Sequence, residues 1–457
     1  MVASTKSVDP NPAVRFGHVM RRWWRRLRRR WLAPQVRFIY HDKYALTLEA
    51  TPVDPDRGQK ILGFLIDEGL LDRDDISVPR RPAVRSLLRA HDHDYIDSVG
   101  RDPEVAEKIF GERISDADIA ALVEMQRLAV GGTIQATRLA LQGRSVAINL
   151  GGGFHHAERA RGAGFCIFND VAVAVARLRS KGFREPILII DLDVHDGNGT
   201  RSIFARDSTV YTYSVHNDHW GDTDAEASTA IALGGDVSDE VYLGTLLKTL
   251  PDVMMTVRPG LVVYVAGSDP AADDALGNWK ISADGMFRRD RLVIELLRHG
   301  RRRLPLVICL GGGYGNASWR YSARFFSWLI SGKVSKTPDN AEMVLRRFRR
   351  FRRDDLAVVP DFHGHLERFV GRVLREIRVL RDVHDLAERF AANPPAREVK
   401  ALHLLVEELV HLLRPADEER FALHAAGQLR DDVRRQEARR AVPCFVRFAA
   451  DVLHVVF

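Results

Sequence analysis

Five short apolar segments constrain the fold of this 457-residue chain most strongly, because each ends in glycines and a polar side chain. They are rich in β-branched and aromatic residues, and they cover Ser145–Leu150, Pro186–Asp193, Val210–His216, Leu261–Asp269 and Pro305–Leu310. Helical patterns lie between them, for example over Asp170–Lys181 and Ala283–His299. Strands that alternate with helices indicate βαβ units. We therefore expect an α/β fold with a mainly parallel sheet flanked by helices.

A polar motif follows each predicted strand. In an open parallel sheet the carboxyl ends of the strands share one edge, and ligands bind there. The motifs that should meet at this edge are GGGFHHA, VHDGNG, NDHWGD, PAADDALG and GGGYGN. One cleft built from distant parts of the chain is therefore expected.

The segment from Asp191 to His195 has the residue types of a metal site. Alternate residues on a strand share a face, so Asp191, Asp193 and His195 should point the same way. Asp269 ends another strand, and together with Asp193 and His195 it can supply three ligands while leaving one position open, as in catalytic zinc sites. A single strand-end carboxylate often only caps a helix. The convergence of several favours a metal.

Two further motifs carry groups for acid–base chemistry. His155 and His156 follow three glycines, so that one imidazole can accept a proton while the other stabilises charge. Asp191 is placed to fix the tautomer of one of them. Tyr314, which follows Gly311–Gly313, offers a phenol that can stabilise a tetrahedral intermediate. Either motif alone is more often structural, so this interpretation depends on their shared position.

The motifs GGGFHHA, GFCIFND, DLDVHDGNG, AGSDPAADDALG and LGGGYGN, in this order, resemble the histone deacetylase superfamily over roughly residues 36–332. The HDGNG and EGLL stretches are most similar to its class IV branch and bacterial relatives. The resemblance implies the arginase/deacetylase fold. It also implies a zinc-dependent hydrolase that cleaves the amide of acyl-lysine (acetyl or longer) or a similar acylated amine by metal-activated water.

The same resemblance implies roles for individual residues, with zinc bound by Asp193, His195 and Asp269. His156 would be the general base and His155 its partner, held by Asp191. Tyr314 would polarise the scissile carbonyl. Asn198 stands where many members have an aspartate, so His156 should be less basic than in those members.

The resemblance also implies a substrate tunnel and a monovalent cation site. The tunnel would be lined by Gly153, Phe165, Leu276 and Trp220, with His219 or Trp220 at its rim. Potassium would be bound largely through backbone oxygens of Asp191, Asp193, His195, Ser214 and Val215. A weaker match suggests a second monovalent site at Phe204 and Val210.

Three other functions are compatible with parts of the pattern. A two-manganese ureohydrolase is disfavoured because Gly197 and Gly267 stand where its second metal needs carboxylates. A small-molecule deacetylase of the polyamine type is disfavoured because Leu276 replaces an acidic gate residue. An inactive acyl-lysine binding module would lack a metal ligand, a histidine or the tyrosine, and all of these are present.

The flanks divide the chain into a leader (residues 1–33), a catalytic domain (34–332) and an α-helical extension (333–457). Arg21–Arg30 holds seven Arg and two Trp, which suits contact with an anionic membrane or nucleic acid, or an unstructured leader. The extension shows helical periodicity that can support self-association. Within it, Arg346–Arg353 reads RRFRRFRR, which suits either phosphate contacts or a helix that turns its two phenylalanines inward.

The cysteines indicate the compartment. Cys166, Cys309 and Cys444 are far apart and form no C-x-x-C pair, so neither a disulfide framework nor a cysteine zinc site is expected. We expect a reducing, cytoplasmic location, at a membrane surface if the leader binds lipid.

Overall fold

A single sheet of eight strands organises the computed structural model, which describes residues 36–47, 53–143, 145–221, 223–298 and 304–353. The strands, β1 to β8 in chain order, are Val36–Ile39, Ile76–Ser77, Val146–Asn149, Ile187–Asp191, Val210–His216, Ser228–Ala232, Leu261–Val265 and Leu306–Cys309. Their order is β2-β1-β3-β8-β7-β4-β5-β6, and every pairing between them is parallel. The predicted α/β fold with its parallel sheet is confirmed.

Eleven α-helices, α1 to α11, occur among the described residues and flank the sheet. They are Arg57–Asp67, Val84–Leu87, His93–Ser98, Pro103–Phe110, Asp116–Gly143, Asp170–Ser180, Asn198–Ile203, Asp239–Val257, Ala283–Arg298, Ser318–Ser331 and Ala341–Arg353. None of the described helices has the combination of length and apolarity that a membrane span requires.

The central strands are apolar on both sides because helices cover both faces of the sheet. In β4, Leu188 and Ile190 belong to one hydrophobic cluster, while Ile187 and Ile189 belong to the other. All four side chains are fully buried. This double burial is why the segments read as continuous apolar runs rather than as alternating patterns.

The sheet places the predicted motifs side by side at its carboxyl edge. Strand β4 lies between β7 and β5, and Asp191 is in register with Val265 on one side and Ser214 on the other. Strand β4 ends at Asp191 and β7 ends at Val265, two and four residues earlier than predicted. Asp193, His195 and Asp269 therefore lie in the loops after these strands rather than on the strands, although at the same edge.

Helix α11 packs onto α1, and the two phenylalanines of its RRFRRFRR segment, Phe348 and Phe351, turn toward the rest of the domain. The Phe348 ring is buried and meets the Tyr40 ring edge-on at a centroid distance of 5.6 Å. Arg73 lies 5.4 Å above the centre of the Phe351 ring. The leader and residues 354–457 lie outside the described residues, so the boundary at residue 332 and the remaining extension stay predictions.

We expect Phe348→Ala to lower the free energy of unfolding by about 3 kcal/mol, because it removes a buried ring and leaves a cavity between α11 and α1. Denaturant unfolding measures the change. Arg350→Ala, on the exposed side of the same helix, is the matched control and should have almost no effect. Equal stability of the two variants would contradict the docking of α11.

Candidate active site

Three side chains meet where β4 and β7 end. His195 Nδ1 lies 3.1 Å from Asp193 Oδ1 and 3.0 Å from Asp269 Oδ2. One ligand atom from each of the three residues lies within 4.8 Å of the others. The predicted ligand set is therefore brought together.

The electrostatics of this cluster suit a bound cation. The side chains of Asp193 and Asp269 are 1% and 0% exposed, so two carboxylates face each other away from water. Burial, followed by the charge of Asp193, raises the pKa of Asp269 to about 7. One imidazole nitrogen and two carboxylate oxygens form a donor set that zinc accepts. The residues fit a divalent metal.

His155 is hydrogen-bonded to a carboxylate. Its Nδ1 donates to Asp191 Oδ2 at 2.8 Å, and its Nε2 lies 3.8 Å from Asp193 Oδ1. Burial lowers the pKa of His155, but the charges of Asp191 and Asp193 outweigh that effect and raise it to about 9. This imidazole therefore has the partners that favour its protonated form.

His156 has a neutral partner instead. Its Nδ1 donates to Asn198 Oδ1 at 2.8 Å. The Asn198 amide is oriented in turn, because its Nδ2 donates to Glu158 Oε1 at 3.4 Å. Burial, and next the neighbouring His155, hold the pKa of His156 well below its ordinary value. The two adjacent rings, 4.1 Å apart, thus differ in charge preference.

Tyr314 lies buried at the same cleft, with its ring 6.1 Å from that of His195. Burial, and then the charges of Asp193 and Asp269, raise the pKa of its phenol well above the ordinary value. The hydroxyl therefore keeps its proton and can donate a hydrogen bond.

Arg57, on α1, supports the glycine loop before Tyr314 and was missed in the sequence. Its guanidinium donates to the carbonyls of Gly312 and Gly311 at 3.0 and 2.9 Å. Nothing in a helical pattern marks one arginine as buried, and its partners are carbonyls more than two hundred residues away. No local signal was available to predict this contact.

Asp170, at the start of α6, supports the other glycine loop and was also missed as a site residue. Its carboxylate accepts from the backbone amides of Gly153 (3.0 Å) and Phe154 (2.8 Å). Thr133 donates a further hydrogen bond to it. Gly153 has a φ of +108°, and a Cβ there would lie 2.5 Å from the nitrogen of Gly311. The two glycine loops are therefore in direct contact.

Phe165, a predicted tunnel residue, has a left-handed backbone with φ of +65°. Gln126, a buried residue of α5, holds it there: its Nε2 donates to the Phe165 carbonyl at 2.7 Å. Gln126 Oε1 accepts from the Ile167 amide at 2.8 Å. The Phe165 ring lies 6.5 Å from the Tyr314 ring, which places it beside the cleft. No motif in the sequence singles out Gln126.

Trp220, the predicted rim residue, stacks on His156 with a centroid distance of 4.0 Å and an interplanar angle of 8°. It is 42% exposed. Its backbone amide donates to Asp196 Oδ2 at 3.2 Å. The indole therefore covers one face of the imidazole at the mouth of the cleft.

A second group, Asp196 with His216 and His219, also has metal-ligand residue types. Arg201 already donates a hydrogen bond to each of the two Asp196 carboxylate oxygens, both at 2.6 Å. His216 Nε2 and His219 Nδ1 share a hydrogen bond of 3.1 Å. We interpret this group as a hydrogen-bonded support for the loop that carries Trp220.

The remaining predicted residues lie nearby. Leu276 is 44% exposed at the surface, and its backbone amide donates to Asp274, which also accepts from the Tyr314 amide at 2.6 Å. Ser214 and Val215, predicted potassium ligands, lie buried on β5 beside Asp191. These positions leave their proposed roles as predictions.

Comparison with known proteins places the chain in one family. The histone deacetylase domain matches residues 51–328. An uncharacterized protein of Picosynechococcus sp. is 34% identical over 281 residues, which are 60% of this chain and 91% of that protein. Histone deacetylase 2 of Arabidopsis thaliana is 34% identical over 310 residues, which are 63% of this chain and 77% of that protein.

The fold comparison agrees. The crystal structure of an HDAC homologue complexed with SAHA is 26% identical, with a TM-score of 0.58, over 68% of this chain and 88% of that chain. The predicted resemblance is thereby confirmed. The chain belongs to the histone deacetylase family and is a deacetylase-type hydrolase.

Proposed function

We propose that the protein is a zinc-dependent deacylase that cleaves the amide of acyl-lysine or of a similar acylated amine. The convergence of Asp193, His195 and Asp269 beside two differently partnered histidines carries this proposal. The names of the relatives support the substrate class, since one is a histone deacetylase.

The metal would be held by these three residues. Bound there, zinc would polarise the acyl carbonyl and lower the pKa of a water molecule. The two carboxylates balance the charge of a divalent ion, so the site suits a neutral amide. We include potassium near Asp191 and Ser214 in the proposal, as the family resemblance implies.

The histidines would move the protons. His156 is held neutral, and because its Nδ1 is engaged by Asn198, its Nε2 is the nitrogen that can accept a proton from the attacking water. His155, which Asp191 holds toward its protonated form, would stabilise developing negative charge. A proton on His156 can then pass to the leaving amine.

Tyr314 would stabilise the negative charge that develops on the carbonyl oxygen. Its phenol keeps its proton, and its loop is fixed by Arg57 from one side and Asp274 from another. Preorganised donors of this kind act mainly in the transition state. Phe165 and Trp220 would flank the apolar stem of the lysine side chain.

We expect one zinc ion per chain in protein reconstituted with zinc, measured by elemental analysis. Asp269→Asn should lose the zinc and the hydrolysis of acetyl-, octanoyl- and myristoyl-lysine peptides together, because it removes a charged ligand. Asp236→Asn, at an exposed ion pair with Lys280, is the control and should keep both the zinc and the activity.

Two bound manganese ions at this site, or full zinc content in Asp269→Asn, would contradict the proposal. Hydrolysis of acylated small amines but of no peptide would identify the small-molecule alternative.

We expect Tyr314→Phe to keep its zinc but to lower kcat by about 100-fold or more, with little change in KM, because it removes a donor that acts in the transition state. Steady-state kinetics on the best peptide measures the split. Turnover close to that of the unmodified protein would remove Tyr314 from the mechanism.

We expect Gln126→Ala to raise KM for the peptide more than it lowers kcat, because Phe165 loses one of the two hydrogen bonds that hold its left-handed backbone, the other being from its amide to the Ile109 carbonyl. Stability should fall by about 1–3 kcal/mol, since the Phe165 carbonyl and the Ile167 amide lose their partner. Thr137→Ala, a buried position on the same helix whose hydroxyl bonds only within that helix, controls for general loss of stability. If the KM of Gln126→Ala is unchanged, substrate binding does not depend on the hydrogen bond between Gln126 and Phe165.

A further inference from the structure

Arg289, on α9, is 1% exposed, and it links the two loops that carry the metal-ligand residues. Its Nη1 donates to the carbonyl of Gly267 at 2.6 Å and to that of Leu192 at 3.2 Å. Leu192 stands between Asp191 and Asp193, at the end of β4. Gly267 follows β7, two residues before Asp269. One guanidinium therefore joins the carboxyl ends of two neighbouring strands.

Gly267 lies directly against the metal-ligand residues. A Cβ at this position would lie 2.6 Å from Asp193 Oδ2 and 2.8 Å from Asp269 Oδ1. The backbone of Gly267 thus forms the spacer between the two carboxylates. The position of the Gly267 backbone therefore limits the space available to both carboxylates.

The charge of Arg289 is balanced inside the protein. Asp290 Oδ1 accepts from Arg289 Nε at 2.9 Å and lies 2.8 Å from its Nη2. The same oxygen accepts from the Tyr264 hydroxyl at 2.5 Å. A buried ion pair contributes little net stability, because desolvation offsets the attraction. The ion pair instead holds the Arg289 guanidinium in one orientation, so that its Nη1 donates in a fixed direction.

We propose that Arg289 is a positioning residue for the metal site, which sets the separation of Asp193 from Asp269 through Gly267 and Leu192. The inference rests on the proposed function, because it concerns the same zinc. A lysine cannot replace this arginine, since one ammonium group cannot reach Asp290 and both carbonyls with the planar geometry of a guanidinium.

The test compares Arg289→Lys with the unmodified full-length protein. Zinc affinity is measured by competition with a chelator, and the visible absorption of the cobalt(II)-substituted protein reports the ligand geometry. We expect zinc binding about 10-fold weaker or more, as for other residues that support metal ligands indirectly, together with a changed cobalt spectrum.

Arg179→Lys is the matched control. Arg179 also donates to backbone carbonyls, those of Glu185 (2.8 Å) and Thr209 (3.0 Å), just before β4 and β5 begin. This variant should lower the melting temperature and leave zinc affinity and the cobalt spectrum unchanged. Loss of zinc affinity in both variants to the same extent would reduce Arg289 to a general stabiliser and overturn the inference.

The outcomes separate the two proposals. If the unmodified protein binds no zinc at this site, the proposed function fails, and this inference fails with it. If the unmodified protein and Arg289→Lys bind zinc equally tightly, only the inference is overturned. Should Arg289→Lys not fold, Asp290→Asn is measured in the same way. Weaker zinc binding in that variant supports the positioning role, and unchanged binding overturns it.

Discussion

The repulsion between two buried carboxylates is the constraint around which this site is built. Asp193 and Asp269 follow the neighbouring strands β4 and β7, so the strand order brings their side chains close together. Backbone amides stabilise each charge in part: Gly312 donates to Asp193 at 2.6 Å and Val194 to Asp269 at 3.0 Å. Such hydrogen bonds reduce the cost of burial but leave two like charges together. A divalent cation resolves this conflict directly.

The loops that surround these carboxylates are held by buried charges from the helices. Arg57 of α1 binds the carbonyls of the loop before Tyr314, Asp170 of α6 binds the amides of the loop before the histidines, and Arg289 of α9 joins the ends of β4 and β7. Each charged side chain satisfies backbone groups that would otherwise be buried without partners. The helices therefore do more than cover the sheet, because they also hold the loops at its carboxyl edge, where the candidate site lies.

The sequence predicted which motifs would meet but not what would hold them. Strand ends in a parallel sheet share an edge whatever their separation along the chain, so His155, Asp193, Asp269 and Tyr314 could be grouped in advance. Strands β1, β2 and β6 were missed: β1 is interrupted by Arg37, β2 has only two residues, and β6 is only half-buried, so none of them has a long apolar run. The supporting charges were missed for another reason. Their partners are backbone groups, which leave no mark in the sequence.

The neutral amide of Asn198 explains how two adjacent imidazoles can differ in their preference for charge. Rings 4.1 Å apart disfavour a double positive charge. A carboxylate beside each histidine would draw a proton to both. Here only His155 is hydrogen-bonded to one, and accordingly the pKa of His155 is raised while burial and the neighbouring His155 lower the pKa of His156. Trp220 covers a face of His156 and adds to its burial. In the proposed mechanism, this asymmetry of partners leaves His156 as the free base.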